Sequence, residues 1–380
     1  MHTKGYAAPE TRAALDRAPP LIEQAEALGE PPDDPLLLSI LYGYWAANLL
    51  AFNGSVLCEL AAQFLAIAKK QSATGPLMIG HRLMGSSLML TGDIAEGRAH
   101  YDQAIVPYDP VEHRPLTTRF GQDIRVAILS FRSWGLWLLG YPDAALADAN
   151  HALKDAREIG QAATLMYALL FTSATQIFCG NYADASALLN ELVALANEKS
   201  ASYWKAWAII SQGWLLALSG KPSDAIEMIT SGVSAYRSTG ATIYAPMYLS
   251  YLTRAHAEVG QLAEAWRCIE EAVAAVEKTK ERLWEAEIHR IAGEITLKSP
   301  ELPGRGKAQA YFEKALAVTR QQQAKSLELR ASMSCARVWR DQGRVQQARE
   351  LLAPVYGWFT EGFETRDLKE AKGLLEELAS

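Results

Sequence analysis

An activity would show first in the reactive side chains. The chain has seven histidines: His2, His81, His100, His113, His151, His256 and His289. No two share metal-ligand spacing on one helix and there is no HExxH, so solvent-facing or singly satisfied imidazoles are expected. Cys58, Cys179, Cys268 and Cys335 lie at least 67 residues apart, each near apolar neighbours. They read as small core residues, not as activated thiolates or a disulfide framework. Gly304-Arg305-Gly306-Lys307 looks like the end of a phosphate loop. However, Glu301 stands where the first glycine belongs, Ala308 follows the lysine, and no apolar strand precedes the string. A lengthened interhelix turn is expected there instead. No Gly-x-Ser-x-Gly elbow occurs, and the acid pairs Glu270-Glu271 and Glu376-Glu377 fall on charged helix faces. The chain is therefore expected to be no enzyme and to hold no cofactor and no metal.

Binding residues are more visible. Arg330, Arg337 and Arg340 stand at i, i+7 and i+10, one face of one helix. Between Glu277 and Glu350 there are 15 basic and 10 acidic residues, although the whole chain carries a net charge of -6. That overall balance argues against a dedicated nucleic-acid binder. Trp134, Trp137, Trp204, Trp207 and Trp214 form an aromatic group suited to a small ligand. The N-terminus has no apolar signal segment. The uncharged stretches Pro35 to Cys58 and Gln161 to Ala183 are long enough to span a bilayer. Both contain polar residues in register with the repeat described next, so buried helices and a cytoplasmic protein without membrane contact are expected.

These side chains need a scaffold, and internal periodicity supplies it. Gly140 with Ala145, Gly180 with Ala185, Gly220 with Ala225 and Gly260 with Ala265 recur at 40-residue spacing. Gly343 with Ala348 is a further copy, Gly92 with Gly97 a weaker one, and Gly54 with Glu59 a degenerate one. Another centres on Ala308, with Pro303 in the glycine's place and Ser299 to Gly306 lengthening the turn. Seven residues before the turns sit Ala47, Gly85, Ser133, Ser173, Gly213, Thr253 and Ala336, with Gly293 in the long-turn copy. Every one is small. Small residues on facing helices permit interaxial distances of ~8–10 Å. The turn glycine ends the first helix, and Pro142 and Pro222 open the next. Between turns the apolar period is helical, with almost no strand-like alternation.

This pattern resembles the tetratricopeptide repeat, whose usual length is ~34 residues. The resemblance implies an all-α, right-handed superhelical solenoid of helical hairpins. Eight repeats of ~40 residues are expected over 31–360. Residues 1–30 are expected to hold a truncated repeat helix, Glu10 to Leu28, and residues 361–380 a capping helix, Thr365 to Leu378. Pro107 to Gly121 is an insertion. Because stacked repeats couple to their neighbours, truncation at Ser299 is expected to leave the first six folded. In that family peptide contacts come chiefly from positions ten and six before each turn. Mapped here, these implicate Tyr44, Asn48, Arg82, Trp134, Trp214, Arg254, Arg290 and Arg337. Trp137 lies one turn beyond Trp134, and Arg330 and Arg340 extend the basic rim. Two readings remain open. In one, an aromatic floor and basic rim hold an acidic or C-terminal peptide segment. In the other, the tryptophans are core and the arginines make ion pairs between repeats with Glu294, Glu328 and Asp341.

A closer resemblance rests on longer strings. They are Lys4 to Glu10, Gly121-Gln122-Asp123, Trp137 to Asp143, Ser326 to Ala331 and Leu351 to Phe363. Together they look like the C-terminal helical-repeat region of bacterial signalling proteins that carry a class III nucleotidyl cyclase domain and a large ATPase domain. This implies a regulatory or sensory module for signal transduction. It would bind a protein or peptide segment, with a cyclase or ATPase signalling partner. A small-molecule sensor is the alternative.

Overall fold

The computed structural model describes Ala13, Arg17 and residues 34–71, 73–298 and 304–379, with helices and turns and no strand among them. The helix expected over Glu10 to Leu28 lies almost wholly outside these residues. Helices pair in chain order. α1 (Asp34–Leu50) pairs with α2 (Gly54–Gln71), and α3 (Thr74–Thr91) with α4 (Ile94–Ile105). The insertion forms short α5 (Pro110–His113) and α6 (Thr117–Phe120). Next come α7 (Ile124–Leu138) with α8 (Pro142–Ile159), α9 (Ala162–Cys179) with α10 (Tyr182–Glu198), and α11 (Ser202–Leu218) with α12 (Pro222–Ser238). They are followed by α13 (Ala245–Glu258) with α14 (Leu262–Thr279), α15 (Glu285–Lys298) with α16 (Gly304–Gln322), and α17 (Lys325–Asp341) with α18 (Val345–Tyr356). α19 (Arg366–Glu377) follows. The architecture is the all-α, right-handed superhelical solenoid of tetratricopeptide-like hairpins.

The turn glycines do what their type allows. Gly92, Gly140, Gly180, Gly220, Gly260 and Gly343 all have positive φ, between 75° and 104°, the left-handed region that ends a helix at little cost only for glycine. A second set of left-handed residues marks the turns between repeats: Gly160, Ser200, Gly240, Lys280 and Gln323. The 40-residue period is therefore two near-equal halves. The second half is not conspicuous in the sequence because three of its five turns lack glycine.

Two expected turns are corrected. In the first repeat the left-handed residue is Phe52 (φ 26°), and Gly54 opens α2. The register is two residues earlier, which puts Trp45, not Ala47, at the small-residue position. Trp45 is accommodated because its indole donates to Ser87 Oγ at 2.9 Å. Gly304 to Lys307 form the first turn of helix α16, not a loop; residues 299–303 are outside the described set.

Elsewhere the small column sits at helix crossings. A Cβ on Gly85 would lie 2.9 Å from the Gly97 carbonyl, and one on Gly293 2.5 Å from the Phe312 ring. α9 is the one described helix long and apolar enough to cross a membrane, and 78% of it is buried inside the protein.

Contacts reach beyond neighbouring repeats. The Leu50 carbonyl, freed at the end of α1, accepts the Thr242 and Ile243 amides at 2.7 and 3.1 Å. The Leu90 carbonyl likewise accepts Arg282 and Leu283 at 2.8 and 3.2 Å. Ser326 Oγ donates to the Trp137 carbonyl. Each partner lies just under five repeat lengths further along the chain. One superhelical turn thus caps the helix ends of the turn before it. The end of the Leu351 to Phe363 string completes this seam. Glu361 accepts the Ala144 amide at 3.0 Å, the Gly362 amide donates to Asp143 at 3.0 Å, and Trp358 packs on Gly140. Purely neighbour-to-neighbour coupling is therefore corrected. Truncation at Ser299 would strip the contacts that Ser326 and residues 358–362 make with α7 and α8.

Glu281 is buried at this seam, 3% exposed, with both carboxyl oxygens accepting the Tyr244 amide. Burial pushes its pKa up to about 8, against the Tyr244 N–H, which lowers it. The folded value is raised above the ordinary 4.5, so as pH rises between these values the unfolded chain ionises first and stability falls. Glu281→Gln is expected to abolish that loss. Its stability advantage over the parent, measured by urea unfolding, should grow across the window and level off above it.

Candidate binding site

The first helices of successive repeats pack against one another, and their large residues meet rings from repeats further along the chain. Trp134 centres an aromatic cluster with Phe171 at 4.7 Å, Phe178 at 5.6 Å, Tyr244 at 5.7 Å and Trp207 at 6.5 Å between ring centroids. Trp137 stacks on Phe178 at 4.5 Å. Trp134 and Trp137 are each 2% exposed. They are core, because the second superhelical turn brings Tyr244 and Trp284 against them.

A cavity of about 120 Å³ opens towards the C-terminal end. Its floor is apolar: Trp214 stacks on Tyr251 at 4.2 Å with planes 3° apart, beside Trp284. Its wall is ionic, with residues delivered by α13, α15, α17 and α19 at about one repeat's spacing. Arg290 makes a bidentate pair with Glu287, both bonds 2.7 Å, and also bonds Glu294 and Ser334. Arg330 bonds Asp367 at 2.6 Å and lies over the Trp137 ring at 4.8 Å. Arg337 pairs with Glu370 at 2.5 Å. Arg366 donates to the Tyr182 hydroxyl at 2.7 Å. Burial pulls the Glu287 carboxyl upward, but Arg290, helped by Arg330 and Arg254, outweighs it and holds the pKa at about 2.

Arg254 differs from the others. It lines the cavity half-buried, and among the described residues it makes no hydrogen bond or ion pair. The cavity therefore has five arginines and four acids that pair three of them; Arg366 bonds a hydroxyl, and the Arg254 guanidinium has no hydrogen bond among the described residues.

Of the residues singled out in the sequence, Trp214, Arg254, Arg290, Arg330 and Arg337 line this cavity together. The rest do not. Arg340 pairs with Glu377 and Asp341 outside it. Arg82 is buried among tyrosines and donates to Gln122 at 3.1 Å, so Gly121-Gln122-Asp123 acts structurally. Asp123 accepts the Val126 amide, capping α7. Tyr44 and Asn48 are half-buried on α1, where Asn48 donates to the Tyr44 carbonyl at 2.9 Å. The two-residue register shift moves them off the expected positions. Glu294, Glu328 and Asp341 all take arginines, but only Arg320–Glu328 joins neighbouring repeats; Glu294 pairs with Arg290 and Asp341 with Arg340 inside one helix. Asp367, Glu370 and Glu377 were missed. Their spacing of 3 and 7 differs from the 7 and 3 of the arginines they meet in the same chain order, so spacing alone does not reveal the pairing.

The family profile described as tetratricopeptide repeat matches residues 329–354, within α17 and α18. No curated protein matches the chain in sequence. Among solved structures, a Rap protein complexed with competence and sporulation factor is similar with a TM-score of 0.59. It is 14% identical, over 97% of this chain and 96% of that one. The Rap conjugation gene regulator of plasmid pLS20, in complex with the Phr* peptide, gives 0.55 at 11% identity, over 82% and 77%. Aspartyl phosphate phosphatase F from Bacillus subtilis gives 0.50 at 13% identity, over 94% and 92%. At these identities the likeness is one of fold.

Proposed function

We propose that the protein is a non-enzymatic binding scaffold, whose repeats over 31–360, capped by 361–380, present the Arg254 cavity to an acidic or C-terminal segment of a partner protein. Arg254 carries this reading. A half-buried guanidinium with no hydrogen bond or ion pair among the described residues has donors left for a ligand carboxylate, and a charge-assisted bond of that kind is worth roughly 1.5–3 kcal/mol. The cavity volume of about 120 Å³ suits one anchoring side chain or a terminal carboxylate. It falls short of the ~300 Å³ and more that enclose a whole small ligand, which favours the peptide over the small-molecule sensor. The pLS20 regulator's fold, solved with a peptide, is consistent with this use. A cytoplasmic signalling role beside a cyclase or ATPase belongs to the same proposal and rests on the resemblance of the Leu351 to Phe363 string.

The test is fluorescence anisotropy with labelled peptides that end in an acidic residue and a free carboxylate. Arg254→Ala is expected to weaken binding at least tenfold and Arg340→Ala to leave it unchanged, with affinity falling as salt rises. Equal affinity for the parent and Arg254→Ala would remove the site. A metabolite that quenches tryptophan fluorescence, where no peptide binds, would favour the sensor.

A further inference from the structure

The α3–α4 hairpin carries a side-chain pair that neither the packing nor the arginine cavity uses. His81 Nδ1 and His100 Nδ1 lie 3.0 Å apart, with ring centroids at 5.0 Å and planes inclined by 38°. Both rings are half-buried and reachable from solvent. The two histidines are 19 residues apart, on different helices, so spacing along one helix cannot reveal them.

Burial lowers the pKa of both rings. His100 and then Lys69 add to the effect at His81; at His100, Glu96 opposes it and Lys69 adds to it. Neutral imidazole is the form that ligates metal. With a proton on one Nδ1 the 3.0 Å contact is an N–H···N hydrogen bond; with both ring protons on Nε2, the two facing lone pairs can be shared by a cation. Metal–nitrogen bonds of ~2.0–2.1 Å place two neighbouring ligands of one ion roughly 3 Å apart. The observed separation needs no rearrangement of the helices.

We propose that His81 and His100 form a two-histidine site for a divalent transition-metal ion of the zinc or copper kind, bracing α3 against α4. Imidazole suits these ions. Among the described residues no third histidine, cysteine or carboxylate completes a cluster, so water fills the other positions. Glu96, one helical turn before His100 on the same face, is placed to accept from such a water. Two protein ligands make the site exchangeable, unlike the four of a structural zinc site.

The experiment is calorimetric titration of the full chain with zinc chloride near neutral pH, in a His2→Gln background that removes the N-terminal histidine. One equivalent is expected to bind, and each of His81→Gln and His100→Gln to weaken binding at least tenfold. At a hundredfold excess over the dissociation constant, the melting temperature should rise by about 3 °C. Absence of saturable binding, or binding unchanged in both variants, overturns the site. A readout needing no further variant is the electron paramagnetic resonance of added Cu²⁺: coupling to two imidazole nitrogens supports the pair, and coupling to one or none overturns it.

Discussion

Glu287→Ala is expected to destabilise the protein by about 3 kcal/mol, the lower end of the ~3–5 kcal/mol range for stripping one partner from a buried ion pair. Glu287 and Arg290 are 4% and 8% exposed in their side chains, so the remaining guanidinium cannot recover water. Glu294, 36% exposed, still holds Arg290, which places the cost at the lower end. Denaturant unfolding reads it. The double variant Glu287→Leu with Arg290→Met should recover most of the loss, because two apolar side chains leave no charge behind. The sign of the pH dependence follows from the same pair. The folded carboxyl sits at about 2 against an ordinary 4.5. Its contribution is therefore complete above the ordinary value and disappears as pH falls towards 2. The acid limb of the stability curve should be shallower in Glu287→Ala. An unchanged limb would mean that the pair does not persist in solution.

Gly213→Leu is the second large effect, a destabilisation of ~1–3 kcal/mol from overpacking. A Cβ there would meet Ile229 Cγ1 at 2.6 Å, the Ile229 amide nitrogen at 3.1 Å and the Ala225 carbonyl at 3.3 Å. Two of these neighbours are backbone, so no rotamer change relieves the contact, and α11 and α12 must separate. Gly373→Leu is the control: it lies on a helix, and a Cβ there meets nothing within 4 Å. It should be neutral or gain up to about 1 kcal/mol, because glycine is the less favourable residue inside a helix. A Gly213→Leu protein as stable as its control would show that the helices do not touch at this column.

Much of the hairpin architecture was legible because its causes are local. A left-handed turn favours glycine, and a close helix crossing favours a small residue. Both therefore leave marks at fixed spacing, as at Gly140 and Ser133 or Gly260 and Thr253. The first repeat misled for the same reason, since Phe52 takes the left-handed turn without glycine and Trp45 replaces the small residue. Only the tertiary structure decided that Trp134 and Trp137 lie in the core, that Arg330 meets Asp367, and that Leu50 meets Thr242. These contacts depend on the rotation from each hairpin to the next. A small angle added over nearly five repeats decides which turns coincide, and no single residue encodes that sum. The sequence by itself determined the hairpins; accumulated geometry decided what they enclose and left Arg254 without a hydrogen bond or ion pair among the described residues.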